Sequence, residues 1–434
     1  MPAEGIPRYA PAVMTDCLAV DLEDRRDVDR TAARSDDRSA DSDSSDEVAR
    51  SLRFTTDASW RHTNGIYFTG DELATSLWEP ILQQLNESSV VIDPACGAAS
   101  LLLPAVRELR RADKNASPEY QVRGYDIEPS FVTISRNRMM AACAGPGLLE
   151  ENFVVADFLR DPIDLKSATH VVMNPPFNPM VGESSTGWSS GSVNSAAVFV
   201  LHALRKMSEN AMLLAILPDV LRSGSRYRRW REEILRYGVI ESIEVADTFD
   251  AFTDVHIFIL RLRRTSSPGP TAPGLGWSAA CNLDRTLAAP EHVIGDTFQV
   301  SVGSVVPHRH EDVGSKHPYL DSTHIRGKRR LAEVIEVRGF SGRLHQAPFI
   351  VVRRTSRPEQ APRMKATLVA SNQMVAVENH LIVLRPRDGL LATCEKHLVA
   401  LEGRQIDAHL NREIRLRHLT VGAVANTPLQ RIDA

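Results

Sequence analysis

Four short apolar runs, each closed by an acid or an amide, constrain this chain more than any other feature. Val90-Val91-Ile92 runs into Asp93, Val122-Arg123-Gly124-Tyr125 into Asp126, Phe153-Val154-Val155 into Ala156-Asp157, and Val171-Val172-Met173 into Asn174. Helical patterns cover 100 to about 111, 129 to about 142, 196 to about 208 and 228 to 237. Further apolar runs at 211–217, 240–245 and 256–262 read as strands, and the short connection between the last two predicts that one runs antiparallel. Alternating strand and helix units of this length predict a mostly parallel sheet with helices on both faces. Ligands bind such a sheet outside the carboxyl ends of its strands, where these polar residues fall. Any one of them alone reads more simply as a helix cap or a surface charge.

The fourth strand runs into Asn174-Pro175-Pro176-Phe177. Neither proline has an N–H to donate, and each holds the residue before it in extended geometry. A stiff loop results, with free carbonyls, a side-chain amide and an aromatic ring. These groups suit a planar substrate with an exocyclic amine. Asn174 Oδ1 and the Pro175 carbonyl can accept both amino hydrogens while Phe177 stacks on the ring.

The first strand opens into Asp93-Pro94-Ala95-Cys96-Gly97-Ala98-Ala99-Ser100. Small residues there let the backbone approach a ligand closely, and the helix start favours a negative group. No G-x-G-x-x-G is present, so a nicotinamide dinucleotide is not the natural ligand. The stretch resembles the D-P-A-C-G-x-G motif of methyltransferases that use S-adenosylmethionine. Ala99 stands where that motif commonly has glycine, a change tolerable if the position is not left-handed.

The tetrapeptide at 174–177 resembles the catalytic motif of amino-methyltransferases. Asn64-Gly65-Ile66-Tyr67-Phe68-Thr69 resembles the motif that precedes the cofactor strand in the gamma arrangement, with Gly70 in place of the common proline. The order of motifs is similar to that of gamma-class N6-adenine DNA methyltransferases over about residues 60–264, and more weakly beyond about 300. The resemblance implies a Rossmann-like class I methyltransferase sheet followed by a mixed α/β target-recognition domain. It implies S-adenosylmethionine as cofactor and no metal. Tyr67 and Thr69 would line its methionine side, though Thr69 also reads as a helix N-cap. Asp93, Pro94, Ala95, Cys96 and Gly97 would form the loop beneath it. Asp126, with Ile127 beside it, would take the ribose hydroxyls. Asp157 would accept from the adenine amine, with Phe158 packed on that ring. The target adenine would be flipped from the duplex, supported by Phe249 or Phe252; for either phenylalanine, core packing is an equal reading. The Gly- and Ser-rich segment 178–194 suits a loop closing over substrate.

Composition frames the rest. The formal net charge of −4 conceals a C-terminal third, 301–434, with 21 basic against 13 acidic side chains. Such a balance suits a polyanion partner as well as it suits a solvated surface. Arg353, Arg354 and Arg357 are the leading candidates to contact double-stranded DNA; Arg326-Gly327-Lys328-Arg329-Arg330, Arg363 and Lys365 are lesser ones. Five scattered cysteines without C-x-x-C spacing argue for a reducing cytoplasm and against structural zinc. No apolar run reaches the ~18 residues that would cross a membrane. The expected division is an acidic, Ser-rich disordered segment over 1–55, a catalytic domain over 56–264, a Pro/Gly linker over 265–300 and a DNA-binding domain over 301–434. No nuclease cluster is evident, so the resemblance implies a separate restriction endonuclease or specificity subunit as partner. Protein-glutamine N5 methylation, RNA guanine-N2 methylation and a catalytically silent DNA-binding module are the competing readings.

Overall fold

The computed structural model describes residues 45–57, 59, 61, 66–112, 121–143, 150–181, 187–188, 191–250, 253–267, 277 and 291–430. Helix α1 (Ser45–Thr55) precedes α2 (Asp71–Trp78). Then follow β1 (Val91–Asp93), α3 (Leu103–Ala112), β2 (Val122–Asp126), α4 (Pro129–Cys143), β3 (Phe153–Val155) and β4 (His170–Met173). A two-stranded hairpin, β5 (Pro179–Val181) and β6 (Ser192–Asn194), leads into α5 (Ser195–Lys206). The half closes with β7 (Met212–Pro218), α6 (Asp219–Ser223), α7 (Arg228–Ile234), β8 (Gly238–Asp250) and β9 (Thr253–Arg264).

Seven of these strands form one sheet in the order β3-β2-β1-β4-β7-β9-β8. Strands β3, β2, β1, β4 and β7 are parallel, and β9 is antiparallel to both β7 and β8. The strand order reverses between β1 and β4, so the ends of β1, β2 and β4 share one crevice. Apolar runs such as Met212–Pro218, buried at every position, are what a sheet covered on both faces requires. Trp78, Leu102, Val171, Leu214, Trp230 and Phe258 stand in its core.

Disorder was the expectation up to residue 55, but 45–55 is helical. Ala49 and Leu52 of α1 pack against Phe68, Ala98, Phe131 and Ile134, so two apolar residues one turn apart suffice to anchor it. The expected loop over 178–194 is a strand pair at both ends, with 182–186 and 189–190 outside the described residues. Most of the expected linker also lies outside them, as do residues 1–44.

The C-terminal half is built from β10 (Phe298–Val302), β11 (Lys316–Leu320), β12 (Arg330–Leu331), β13 (Val337–Gly339), β14 (His345–Gln346), β15 (Phe349–Arg353), β16 (Ala366–Val369), β17 (Met374–Val377) and β18 (Leu381–Pro386). One sheet has the order β10-β18-β15-β16-β12 and the other β13-β11-β17-β14. Ile350 and Val352 of β15 face one apolar cluster, and Phe349 and Val351 the other. The five-stranded sheet is therefore covered on both sides. Helix α8 (Ile294–Thr297) precedes β10; α9 (Leu391–His397), α10 (Arg404–Glu413) and α11 (Val421–Ala425) end the chain. No helix among the described residues is long and apolar enough to cross a membrane.

Candidate active site

The loop after β1 is held by backbone contacts that its composition permits. Cys96 N donates to the Tyr125 carbonyl at 2.8 Å, and Gly97 N to Asp126 Oδ2 at 2.9 Å. A side chain at Gly124 would overlap the Phe153 ring and sit 3.0 Å from Cys96 Sγ, so β2 needs glycine there. Gly97 is left-handed at φ +51°, and no atom lies within 4 Å of where its Cβ would be. The loop thus presents bare backbone to open space. Ala99 is also left-handed, at φ 59°, so the condition under which alanine was expected to be tolerable there is not met. Its methyl group is fully buried, so packing holds a conformation that sterics disfavour by about 1–2 kcal/mol.

Asp93 is buried and accepts from Ala95 N at 3.0 Å. Burial pushes its carboxyl up to about 8, against the Ala95 N–H and with help from the charge of Asp126. Asp93 therefore shapes the loop from beneath. Asp126 is half-buried; Oδ1 accepts from Glu128 N at 2.9 Å while Oδ2 holds Gly97 N. Burial raises it to about 6, against those backbone donors. Ile127 beside it is 66% exposed, an apolar side chain left uncovered among the described residues. Asp157 Oδ1 accepts from Leu159 N at 3.0 Å, and its other oxygen lies 3.5 Å from Arg160 Nε. Phe158 does not line the crevice. It is 2% exposed, set against Phe199 at 5.4 Å and His202 at 4.8 Å. Its ring is packed into the core among these neighbours.

The loop after β4 is clamped at three points. Asn174 Nδ2 donates to the Tyr67 carbonyl at 3.1 Å and to Thr69 Oγ1 at 3.0 Å. Ser195 Oγ shares its one hydroxyl hydrogen between the Pro176 carbonyl and Asn178 Oδ1. Asn194 Nδ2 donates to the Phe177 carbonyl at 2.9 Å, while Asn194 Oδ1 caps α5 and Asn194 N donates to Tyr227 Oη. Thr69 is not a helix N-cap, because Gly70 takes that place without a side-chain bond. Its hydroxyl instead fixes the Asn174 amide. A flipped amide would set Oδ1 against the Tyr67 carbonyl, two acceptors face to face, so the orientation is forced. Asn174 Oδ1 is then buried with no hydrogen-bond partner among the described residues. Phe177 is buried, its ring 4.9 Å from that of Tyr67.

The structure thus brings Tyr67, Thr69, the 93–97 loop, Asp126, Ile127 and Asn174 to one edge of the sheet. Phe249 lies on β8 with its side chain outside the described residues, and Phe252 lies outside them entirely. Arg353 donates to the Ser322 carbonyl at 2.9 Å, Arg354 is half-buried, and Arg357 is exposed. Arg363 is no surface group: it is buried and donates to Asn411 Oδ1 and the carbonyls of Ile414 and Leu416. Sequence reading missed the clamps of Ser195, Asn194 and Tyr227. Only Asn194, an N-cap residue before an apolar helix, left a local signal.

The strand order and the loop after β1 define a class I methyltransferase fold of the S-adenosylmethionine-dependent type. Residues 54–267 match the N-6 DNA methylase family. A curated relative, the type II restriction enzyme and methyltransferase RM.BcgI of Heyndrickxia coagulans, is 24% identical over 187 residues. That match spans 41% of this chain and only 28% of the relative. Among solved structures, the type IIL restriction-modification enzyme MmeI in complex with DNA is similar at a TM-score of 0.50 and 14% identity, over 86% of this chain and 69% of that one. A type I restriction-modification methyltransferase subunit from Streptococcus thermophilus is similar at a TM-score of 0.38 and 23% identity, over 49% and 47% of the two chains.

Proposed function

We propose that this protein transfers a methyl group from S-adenosylmethionine to N6 of an adenine extruded from double-stranded DNA, within a restriction-modification or defence system. The observation that carries the reading is Asn174 Oδ1, a buried acceptor without a partner among the described residues, its amide fixed by Tyr67 and Thr69. A buried polar atom left unpaired is destabilising, and it persists where a ligand supplies the missing donor. The Pro175 carbonyl receives no hydrogen bond among the described residues either.

The residues present fit the cofactor. Open space above Gly97, a carboxylate at Asp126 and the uncovered Ile127 suit, in turn, a close backbone approach, two ribose hydroxyls and an apolar ring face. Bound there, the cofactor supplies an electrophilic methyl on a sulfonium. The protein's own part is positioning. Asn174 Oδ1 and the Pro175 carbonyl accept the two N6 hydrogens. That draws the nitrogen toward tetrahedral geometry and frees its lone pair from the ring. Both acceptors are neutral and take no proton, so the extra N6 proton would pass to solvent once the C–N bond has formed and the methyl–sulfur bond has broken. Phe177 must turn from Tyr67 to stack on the base. Residues 56–264 would catalyse, and 301–434, with exposed Arg357, Arg326 and Lys328, would hold the DNA; a separate endonuclease or specificity subunit fits the same reading.

The test is transfer of labelled methyl to unmethylated genomic DNA, followed by nucleoside analysis, with Asn174→Ala as control. N6-methyladenine made by the wild type alone supports the reading. Label in RNA or protein but not DNA would replace it with guanine-N2 or glutamine-N5 methylation.

A further inference from the structure

One strand away from Asn174 the sheet edge carries a second buried constellation. Strand β7 pairs with β4, with Ala215 opposite Met173, and Asp219 follows directly after β7. The side chains of Asp219 and Arg222 have 0% exposure and pair at 2.6 Å. Some of their remaining bonds reach the C-terminal half. Arg222 Nη1 donates to the Trp277 carbonyl at 3.0 Å and to the Arg412 carbonyl at 2.9 Å. Asp219 Oδ2 accepts from Arg415 N at 3.1 Å and from Ser223 Oγ at 2.6 Å. Arg412 sits in the last turn of α10, where carbonyls lack partners within the helix and a cation is favoured. A second contact runs alongside, His256 Nε2 of β9 to Glu359 Oε1 at 3.7 Å, in the loop that carries Arg357.

A buried ion pair is a poor source of net stability compared with well-packed apolar side chains; its best-attested use is to fix a register. Apolar surfaces can slide by a fraction of a side chain. A guanidinium that must meet one carboxylate and two carbonyls cannot, because its donors lie in a rigid fork. This fork joins the strand beside the catalytic loop to the helix end of the half that carries the basic residues.

We propose that Asp219 and Arg222 are positioning residues that hold the C-terminal half in one register against the Asn174 loop, so that the grip on DNA decides which adenine reaches that loop. The inference rests on the methyltransferase reading above. It assigns no chemistry to the pair; its effect is on site selection.

The test uses the full chain and three variants: Asp219→Asn, Arg222→Lys and the charge-free double variant Asp219→Leu/Arg222→Met. In the first arm, without DNA or cofactor, hydrogen exchange is followed at the Arg415 amide and the last turn of α10. Asp219→Asn is expected to speed exchange there by about 100-fold, with β1 and β4 still protected. In the second arm, methylated adenines are mapped across unmarked genomic DNA. Variants should bind S-adenosylmethionine as the wild type does and raise methylation at non-cognate adenines by about 10-fold or more, a change of ~1.4 kcal/mol in discrimination. The double variant guards against misfolding, since it removes both charges together; it should fold and share the loss of selectivity. Unchanged exchange at Arg415 in every folded variant would overturn the proposal. So would faster exchange with unaltered site selection and only a uniform fall in rate. A wild type that methylates no DNA would sink the parent reading, and the first arm would still decide whether the pair anchors the two halves.

Discussion

Thr69→Val isolates how Asn174 is aimed. The substitution keeps the branched shape of a buried side chain and deletes one acceptor, Oγ1, 3.0 Å from Asn174 Nδ2. The Tyr67 carbonyl at 3.1 Å remains. A neutral buried hydrogen bond contributes about 0.5–1.5 kcal/mol net, and stranding its donor adds about 1 kcal/mol or more. Part of that energy now holds Oδ1 toward the substrate, so its loss should raise the barrier by about 1–2 kcal/mol, or lower kcat by about 5- to 30-fold. Deleting the acceptor outright in Asn174→Ala should cost more, about 100- to 1,000-fold, by analogy with removal of one preorganised partner from a reacting centre. Thr69→Ser restores the oxygen and should stay within about 3-fold of wild type, since the lost methyl contributes under ~1 kcal/mol. The assay is single-turnover methyl transfer to DNA together with calorimetric cofactor binding. If Thr69 aims Asn174, kcat falls while cofactor affinity holds. If Thr69→Val weakened cofactor binding and left the single-turnover rate alone, Thr69 would be a wall of the cofactor site and the aiming argument would be wrong.

Other outcomes follow from the same geometry. Burial raises Asp126 to about 6, so its carboxylate prevails above that pH and its acid form below. Donors bound to the carboxylate favour the charged form, so cofactor affinity should weaken as pH falls through about 6, with proton release on binding there; calorimetry in buffers of different ionisation enthalpy reads both, and a pH-flat affinity would contradict the role. Ala99→Gly should be nearly neutral to stability, within about 0.5 kcal/mol, because relief of the left-handed strain is offset by a lost buried methyl and a floppier unfolded chain. Ala99→Val should destabilise by about 2 kcal/mol or more, since a β-branched side chain tolerates that conformation least, and a chemical-denaturation midpoint like that of wild type would refute it. Arg326 and Lys328 are exposed and make no side-chain hydrogen bond or ion pair among the described residues, whereas Arg329 and Arg330 are paired with Glu402 and Glu395. Alanine at either Arg326 or Lys328 should therefore reduce the slope of log affinity for DNA against log salt by about 1, and alanine at Arg329 or Arg330 by less.

The sheet was legible because its signals are local. Val171-Val172-Met173 before Asn-Pro-Pro-Phe announces a buried strand and its abrupt end, and α4 begins at the proline where the pattern placed it. In the C-terminal half the sequence pattern marks little beyond strands at about 347–353 and 381–384 and helices at about 388–401 and 404–415, which correspond to β15, β18, α9 and α10. Its other strands run from two to five residues, too short to display alternation, and they exist only because distant partners pair with them. Helix α1 was hidden for a related reason: Ala49 and Leu52 look like chance apolar residues at the end of an acidic tract until Phe68 and Phe131 cover them.

The candidate site divides along the same line. Sequence alone determined which residues stand at the strand ends, because strand length and the prolines after Met173 are properties of adjacent residues. It therefore supplied Asp93, Asp126 and Asn174 and the loop between Asp93 and Ser100. Only the tertiary structure decided where side chains point and what their second valences hold. It turned Phe158 into the core, buried Arg363 as a staple, made Ala99 left-handed and bound Asn174 to a threonine 105 residues upstream. A hydrogen bond of 3.0 Å has no trace in composition or periodicity, for it depends on two segments meeting across a folded edge at the right angle.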